Sequence, residues 1–446
     1  MPDEADETRR ATPPKQGQPV RAAVSSFLGA TIEYYDFLLY AQAAVLVFGP
    51  VFFRDLPDGV AALASLGTFT AGYLARPVGG LIFGHFGDRL GRKKMLVLSL
   101  VLMGAASTAI GLIPPPSVIG YWGAVILILL RVCQGIAVGG EWGGAALLSY
   151  EHADTKRRGF SASFTQAGAP TGVALAGLML GLFAALPEDE FQSWGWRIPF
   201  LLSIVLLLLG LVVRAGVRES PEFEDAVERG VAGAGSTHRP LRAVLRRPRP
   251  VLICVFGTFA NFFLTGMIDI FGLAYTVDAG TPKHQALTMW SVASVFQIFS
   301  TIAMGYISDK VGRVRVMVIG YVSYAVLLYP MFHLFSQGDQ WAVLGALLLS
   351  KTVHSVVYGP LAAFVADQFT PENRYTGGSV GYQVASQLGN GVGPLLITAL
   401  YAATGQNVAS VVAVGAASCL MSAAVVFSTT YRRGGDRVAP RSPQLR

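Results

Sequence analysis

Charge is what this 446-residue sequence has least of. Asp, Glu, Lys and Arg make up 14% of it and hydrophobic residues 52%, whereas a soluble domain carries about 25% charged residues. A soluble fold of this length would need far more polar surface, which excludes an aqueous globular protein. Disorder and collagen are excluded by the same figures. Cysteine is scarce as well. Cys133, Cys254 and Cys419 all fall inside apolar runs and lack metal-ligand spacing, so neither a disulfide framework nor a thiolate metal site is expected. Whole stretches carry no charged side chain: 95–130, 159–187, 250–268, 284–308, 316–338 and 375–431. An integral membrane protein is what remains.

The formal net charge is +7. The basic residues sit in short clusters between apolar runs, which argues against nucleic acid as a partner. They read as topology signals facing an anionic leaflet. A membrane helix needs about 20 largely apolar residues. On that measure the chain divides into twelve spans, near 21–49, 59–86, 94–113, 119–150, 160–186, 196–214, 250–277, 285–308, 315–335, 341–368, 375–403 and 406–430. Pro114-Pro115-Pro116 and Thr404-Gly405-Gln406-Asn407 break the two longest uncharged stretches. The expected organisation is a polar tail (1–20), a six-helix bundle (21–214), a linker (215–249), a second six-helix bundle (250–430) and a short tail (431–446). The apolar run after Arg21 is too long for a signal-peptide core and reads as a retained first span.

Loop charges set the orientation. Arg89, Arg92, Lys93 and Lys94 follow span two, Lys156, Arg157 and Arg158 follow span four, and seven arginines lie in 215–249. The intervening loops are poor in base, and the loop after span five is acidic, Glu188-Asp189-Glu190. Both termini are therefore expected on the cytoplasmic side of the cell membrane.

The two halves echo each other. Gly84-His85-Phe86-Gly87-Asp88-Arg89-Leu90-Gly91-Arg92 recurs 221 residues later as Gly305-Tyr306-Ile307-Ser308-Asp309-Lys310-Val311-Gly312-Arg313, each copy following the second helix of its half. Internal symmetry of this kind is a transporter signature. The doubled motif resembles that of the major facilitator superfamily. Further stretches resemble the metabolite:proton symporter family within it, which includes proline/betaine, α-ketoglutarate, citrate and shikimate permeases. They are Ile32-Glu33-Tyr34-Tyr35-Asp36-Phe37, Ala75-Arg76-Pro77-Val78-Gly79-Gly80, the run Arg131–Glu141, Gly195-Trp196-Arg197-Ile198-Pro199-Phe200, Glu219-Ser220-Pro221-Glu222-Phe223, Tyr358-Gly359-Pro360 and Arg374-Tyr375-Thr376-Gly377. The resemblance implies an all-α integral membrane fold of two pseudo-symmetric six-helix bundles, working as a monomer without a cofactor. It also implies proton-coupled uptake of a small carboxylated or zwitterionic metabolite by alternating access. A proton antiporter exporting a secondary metabolite or drug is the alternative. No metal cluster, phosphate-metal carboxylate pair or nucleophile–base signature supports an enzyme.

In the loop motif, the glycines serve close helix approach and tight turns. Asp88 can accept hydrogen bonds from helix ends, and Arg92 can pair with acids, with Glu151 and Glu219 the expected partners. In resembling transporters this network latches the cytoplasmic side. The gating set is then Gly84, Asp88, Arg89, Gly91, Arg92, Glu151, Arg158, Glu219, Gly305, Asp309, Gly312 and Arg313.

Charges inside membrane helices are costly, so each is a functional candidate. Glu33 and Asp36, at i and i+3, are expected on one face as a mutually repelling pair able to take up a proton. Glu141 and Asp269 are further proton-coupling candidates. Arg76 lies near mid-membrane and Arg131 opens the apolar face of span four; either can hold a carboxylate bidentately. Gln134 shares a face with Glu141, and Tyr34 is a cavity candidate. The 221-residue offset carries Arg76 to Gln297 and Arg131 next to Lys351, which places Gln297 and Lys351 beside the same cavity. His354, one turn beyond Lys351, reads as a packed, hydrogen-bonded histidine.

Overall fold

The structure, a computed structural model, describes residues 18–90, 92–139, 150, 155–215, 246, 248–369 and 371–435. Nearly all of the 215–249 linker and most of both tails lie outside them. Among the described residues there is no strand, and a helix stands at each of the twelve expected spans. Span one is Gln18–Leu46, span two Asp58–Leu90, span three Arg92–Gly111, span four Trp122–Val138, span five Arg158–Phe183 and span six Ser203–Ala215, entered through Arg197–Leu201. Span seven begins as Pro248–Gly266, widens into a π-helical stretch Met267–Gly272 and ends as Leu273–Asp278. Spans eight, nine and ten are Lys283–Val311, Arg313–Phe335 and Gln340–Ala366. Span eleven repeats the pattern of span seven, with Pro371–Ser386, a π stretch Gln387–Val392 and Gly393–Ala403; span twelve is Val408–Gly435. By length and composition, seven helices are apolar enough to cross a bilayer over their described residues.

Small residues decide how close the helices come. A Cβ built on Gly135 of span four would lie 1.9 Å from the Gly72 carbonyl oxygen of span two. One built on Gly139 would lie 1.9 Å from the Arg76 oxygen, and one on Gly79 1.9 Å from the Ile136 oxygen. Spans two and four therefore touch backbone to backbone, the small-xxx-small geometry of membrane helix pairs. Gly168 and Gly172 do the same for span five against span one, with built Cβ atoms 2.6 Å from Ala30 Cβ and from Tyr35 N. The most extensive helix–helix contact among the described residues runs between spans five and eight, one from each half.

Helix ends are closed by side chains. Asp339 caps span ten by accepting from Ala342 N at 2.8 Å. Arg197 donates through Nη1 to the Ile113 and Gly111 carbonyls, placing a cation at the end of span three, where the helix dipole favours it.

Gly135→Val places a branched side chain where no space exists, so it is expected to lower the thermal midpoint of the purified protein by several degrees or prevent folding. Gly67→Ala in span two, with nothing within 4 Å of its built Cβ, is expected to be neutral or mildly stabilising, by up to about 1 kcal/mol from helix propensity. Thermal unfolding of the two variants side by side checks this; equal midpoints would remove the close-contact account.

Candidate functional site

Where the halves meet, side chains from both enclose a narrow cavity. The first half contributes Tyr34, Phe37, Tyr73 and Arg76 together with Pro170 and Val173. The second half contributes Phe262, Thr265, Asp269, Gln297, His354, Tyr358, Tyr382, Ser386 and Asn390. Arg76 and Gln297, the two positions related by the 221-residue offset, both line it.

Arg76 is 7% exposed. Its guanidinium carbon sits 4.2 Å from the Phe37 ring centroid and 4.0 Å from that of Tyr73, and its Nε has no hydrogen-bond partner. Pro77 follows it. Proline has no N–H, so the Tyr73 carbonyl four residues back loses its helical donor. Gln387 of span eleven supplies one instead, Nε2 to Tyr73 O at 3.3 Å. Nearby, Asn390 Nδ2 donates to Tyr73 Oη at 2.6 Å and Thr70 Oγ1 to Gly391 O at 2.8 Å. The π stretch of span eleven is thus tied across the cavity to span two.

Arg131 lies behind that wall, fully buried. Its guanidinium carbon is 3.9 Å from Phe37, 4.2 Å from Tyr40 and 4.9 Å from Phe69. Its Nη1 donates to Gln134 Oε1 at 3.0 Å, and Gln134 Nε2 donates to Ser107 Oγ at 2.7 Å. Nε and Nη2 have no partner. Gly72 makes the room, since a Cβ there would meet Arg131 Nε at 2.7 Å. Phe37 therefore has Arg76 against one part of its ring system and Arg131 against another. Neither Arg131 nor Gln134 lines the cavity.

Asp36 is 1% exposed and accepts from Ser203 Oγ of span six at 2.5 Å, while its Oδ2 has no partner. Arg131 is close enough to act on it electrostatically, yet the two make no ion pair. Glu33, also buried, lies near the hydroxyls of Tyr73, Tyr358 and Tyr382. Asp36 is acted on by Ser203, Ser107 and Arg131, and Glu33 acts on the tyrosines; the i, i+3 spacing leaves about 60° between the two carboxylates around the axis.

In the second half, Lys351 Nζ and Asp269 Oδ1 form a buried ion pair at 2.5 Å. Asp269 sits in the π stretch of span seven and faces the cavity, while Lys351 stands behind it. His354 lines the cavity with both ring nitrogens engaged: Nδ1 with Gln297 Nε2 at 2.9 Å, Nε2 with Thr265 Oγ1 at 3.1 Å. Tyr34 and Tyr382 bridge the halves hydroxyl to hydroxyl at 3.2 Å.

The second copy of the loop motif is visible atom by atom. Gly305 lets span eight press on span five; a Cβ there would meet Ser163 Cβ at 2.5 Å. Asp309 accepts from the backbone N–H of Gly159 and of Phe160, both at 2.9 Å, capping the first turn of span five in the other half. Gly312, with φ of +100°, turns the chain so that span nine begins at once. Arg313 pairs with Asp309 at 3.2 Å and with Asp367, which also accepts from Tyr150 Oη at 2.5 Å. Arg158 donates to Tyr150 Oη at 3.4 Å. At the opposite end Lys283 and Glu188 join the halves at 2.6 Å. Of the first copy, Gly84, Asp88, Arg89 and Arg92 lie on spans two and three with side chains outside the described set; Gly91, Glu141, Glu151 and Glu219 are outside the described residues altogether. The sequence reading missed Asn390, Tyr73, Tyr358 and Tyr382 as cavity residues.

A family model described as Major Facilitator Superfamily matches residues 27–374 and 254–444. The chain belongs to the major facilitator superfamily. Among curated proteins, the Shikimate transporter of Escherichia coli (strain K12) is 39% identical over 94% of this chain and 97% of its own length. The Proline/betaine transporter of the same organism is 30% identical over 82% of this chain and 74% of its own. Among solved structures a D-xylose-proton symporter superposes with a TM-score of 0.72 at 19% identity, covering 91% of this chain and 97% of that one. As a member of the superfamily the chain is a multi-pass membrane transport protein, and its architecture is the major facilitator fold.

Asp309→Asn keeps the shape of the cap and removes its charge. It is expected to raise several-fold the rate at which a cysteine at the buried Ser163 position reacts with a membrane-impermeant maleimide. Unchanged labelling would mean that the Asp309 charge does not hold spans five and eight together.

Proposed function

We propose that this chain carries a small carboxylated metabolite together with a proton into the cell by alternating access, with both termini and the Asp309 end facing the cytoplasm. One observation carries the reading. A buried carboxylate with an unbonded oxygen, Asp36, neighbours a buried guanidinium with two unbonded nitrogens, Arg131, and that guanidinium packs on Phe37, which lines the cavity.

Arg76 binds the substrate carboxylate. Its Nε is unbonded, and its planar fork suits a carboxylate. The other polar groups of the lining are hydroxyl, amide and imidazole, with one carboxylate already paired to Lys351, set among the apolar side chains of Phe37, Pro170, Val173 and Phe262. That lining favours a hydroxylated ring acid of the shikimate kind over a quaternary amine, in keeping with the similarity to the Shikimate transporter. Phe37 touches both guanidiniums, so an anion settling on Arg76 moves the ring that also confines Arg131. Arg131 then joins or leaves Asp36, and the Asp36 proton is released when the guanidinium arrives and retained when it departs. Linkage makes the effect reciprocal. Glu33, among the tyrosine hydroxyls, serves as the route between Asp36 and water, with Glu141 and Asp269 as further acceptors. The charged motif at the end of span eight, with Arg158, holds the cytoplasmic side shut, a role the repeat assigns equally to the Asp88 copy with Glu151 and Glu219.

Arg76→Lys keeps the charge but loses the fork. Apparent substrate affinity is expected to fall by about tenfold, roughly 1.4 kcal/mol. Shikimate binding by purified protein measures this, and parent-like affinity would return Arg76 to helix packing. Asp36→Asn is expected to abolish accumulation driven by a pH step in proteoliposomes while sparing exchange between preloaded vesicles, which needs no net proton movement. Accumulation at the parent rate in Asp36→Asn would place the coupling carboxylate elsewhere.

A further inference from the structure

Between spans five and eight, at the Asp309 end, lies a groove open to the outside of the bundle. Its walls are Phe160 from one half and Phe299, Ile302, Ala303 and Tyr306 from the other, with Arg157 at the rim. Phe299 is 67% exposed and Tyr306 46%, so the walls face the hydrocarbon rather than the protein. Lys310 stands over the Tyr306 ring, its Nζ 4.3 Å from the centroid. Among the described residues no carboxylate pairs with Arg157 or Lys310. An apolar trough thus ends in two cations that have no carboxylate partner among the described residues.

We propose that this groove holds one anionic phospholipid, its phosphate between Arg157 and Lys310 and an acyl chain along Phe299, Ile302 and Ala303, and that the lipid favours the latched state. Charge complementarity selects the headgroup. A zwitterionic lipid brings its own cation toward Arg157 and Lys310, while a net-negative one leaves theirs to be neutralised. The apolar walls select a lipid over a free phosphate, since each buried methylene of the chain contributes about 0.8 kcal/mol.

The coupling to conformation follows from where the walls come from. Phe160 donates its N–H to Asp309 and lays its ring edge-on to Tyr306, centroids 6.1 Å apart. When spans five and eight separate at this end, the groove divides. A ligand that binds only the joined form stabilises it by mass action.

The test uses the purified full chain in neutral detergent. Dioleoylphosphatidylglycerol, dioleoylphosphatidylcholine and glycerol phosphate are titrated separately, reading the thermal midpoint and the maleimide labelling rate of a Ser163→Cys variant. Phosphatidylglycerol is expected to raise the midpoint and slow labelling several-fold, with little effect from the other two. The Arg157→Gln/Lys310→Gln double variant should need at least tenfold more phosphatidylglycerol for the same response. Ala303→Trp, which fills the trough and leaves the cations in place, should also weaken it and covers the case of a double variant that does not fold. Equal response to phosphatidylcholine, a full response to glycerol phosphate, or parent-like affinity in both variants would overturn the site. A protein that dimerises through this face until Ala303→Trp is introduced would assign the groove to a second copy of the chain. Binding without slower labelling would overturn the link to the latch.

Discussion

Two guanidiniums lie buried on neighbouring helices of the first half. Burying such charge costs several kcal/mol per ion even after relaxation, so the surroundings have to compensate. Aromatic faces supply part of that compensation: Arg76 rests on Phe37 and Tyr73, Arg131 on Phe37, Tyr40 and Phe69. Each such contact is worth about 2 kcal/mol when desolvated. Much of the first half is arranged around them. Gly72 is small because Arg131 needs the space, Gly135 and Gly139 bring span four close enough to share the aromatic layer, and Gln134 with Ser107 fixes one nitrogen. What this leaves unsatisfied, on Arg76, Arg131 and Asp36, is the part of the bundle that has somewhere else to go.

The second half solves the same problem differently. Its buried cation near the cavity is a lysine, paired directly to Asp269, and the aromatic contacts around it are between neutral rings. A point charge on a flexible stem suits a single short ion pair, whereas a planar guanidinium suits stacking. The halves are therefore symmetric in backbone and motif but not in charge. One holds cations with unused donors and the other a closed pair. Two of the three π stretches among the described residues, around Asp269 and Asn390, belong to the second half and contribute to the cavity lining, as such stretches commonly do at functional sites; the third, Phe191–Gly195, lies before span six.

The membrane class, the twelve spans and the doubled motif were legible because each rests on composition or on an exact repeat. The offset that carried Arg76 to Gln297 worked for the same reason. Facing was harder. Glu33 and Asp36 are spaced like neighbours, yet their roughly 60° separation sends one to the tyrosine hydroxyls and the other to Ser203, which no one-dimensional pattern records. Tyr73, Tyr358, Tyr382 and Asn390 look like ordinary apolar or polar helix residues until helices from opposite halves cross. Pro77 offered the nearest signal: it implied an orphaned Tyr73 carbonyl, and hence a donor from some other helix, but not that the donor would be Gln387.

Both ends of the cavity carry a bridge between the halves, and the two bridges differ in strength. Lys283 and Glu188 are 24% and 55% exposed, and a solvated pair of that kind contributes about 0–1 kcal/mol. Asp309 is 7% exposed, caps two N–H groups at the positive end of span five and shares Arg313 with Asp367. A carboxylate at a partly buried helix N-terminus is worth up to ~2 kcal/mol by itself, before the Arg313 and Tyr150 contacts are counted. Of the two bridges, the one at the Glu188 end therefore costs less to open. Opening at the Asp309 end requires that the charge network be offset, and under the proposed symport the unsatisfied groups around Phe37 are where a bound anion and a proton would supply that offset.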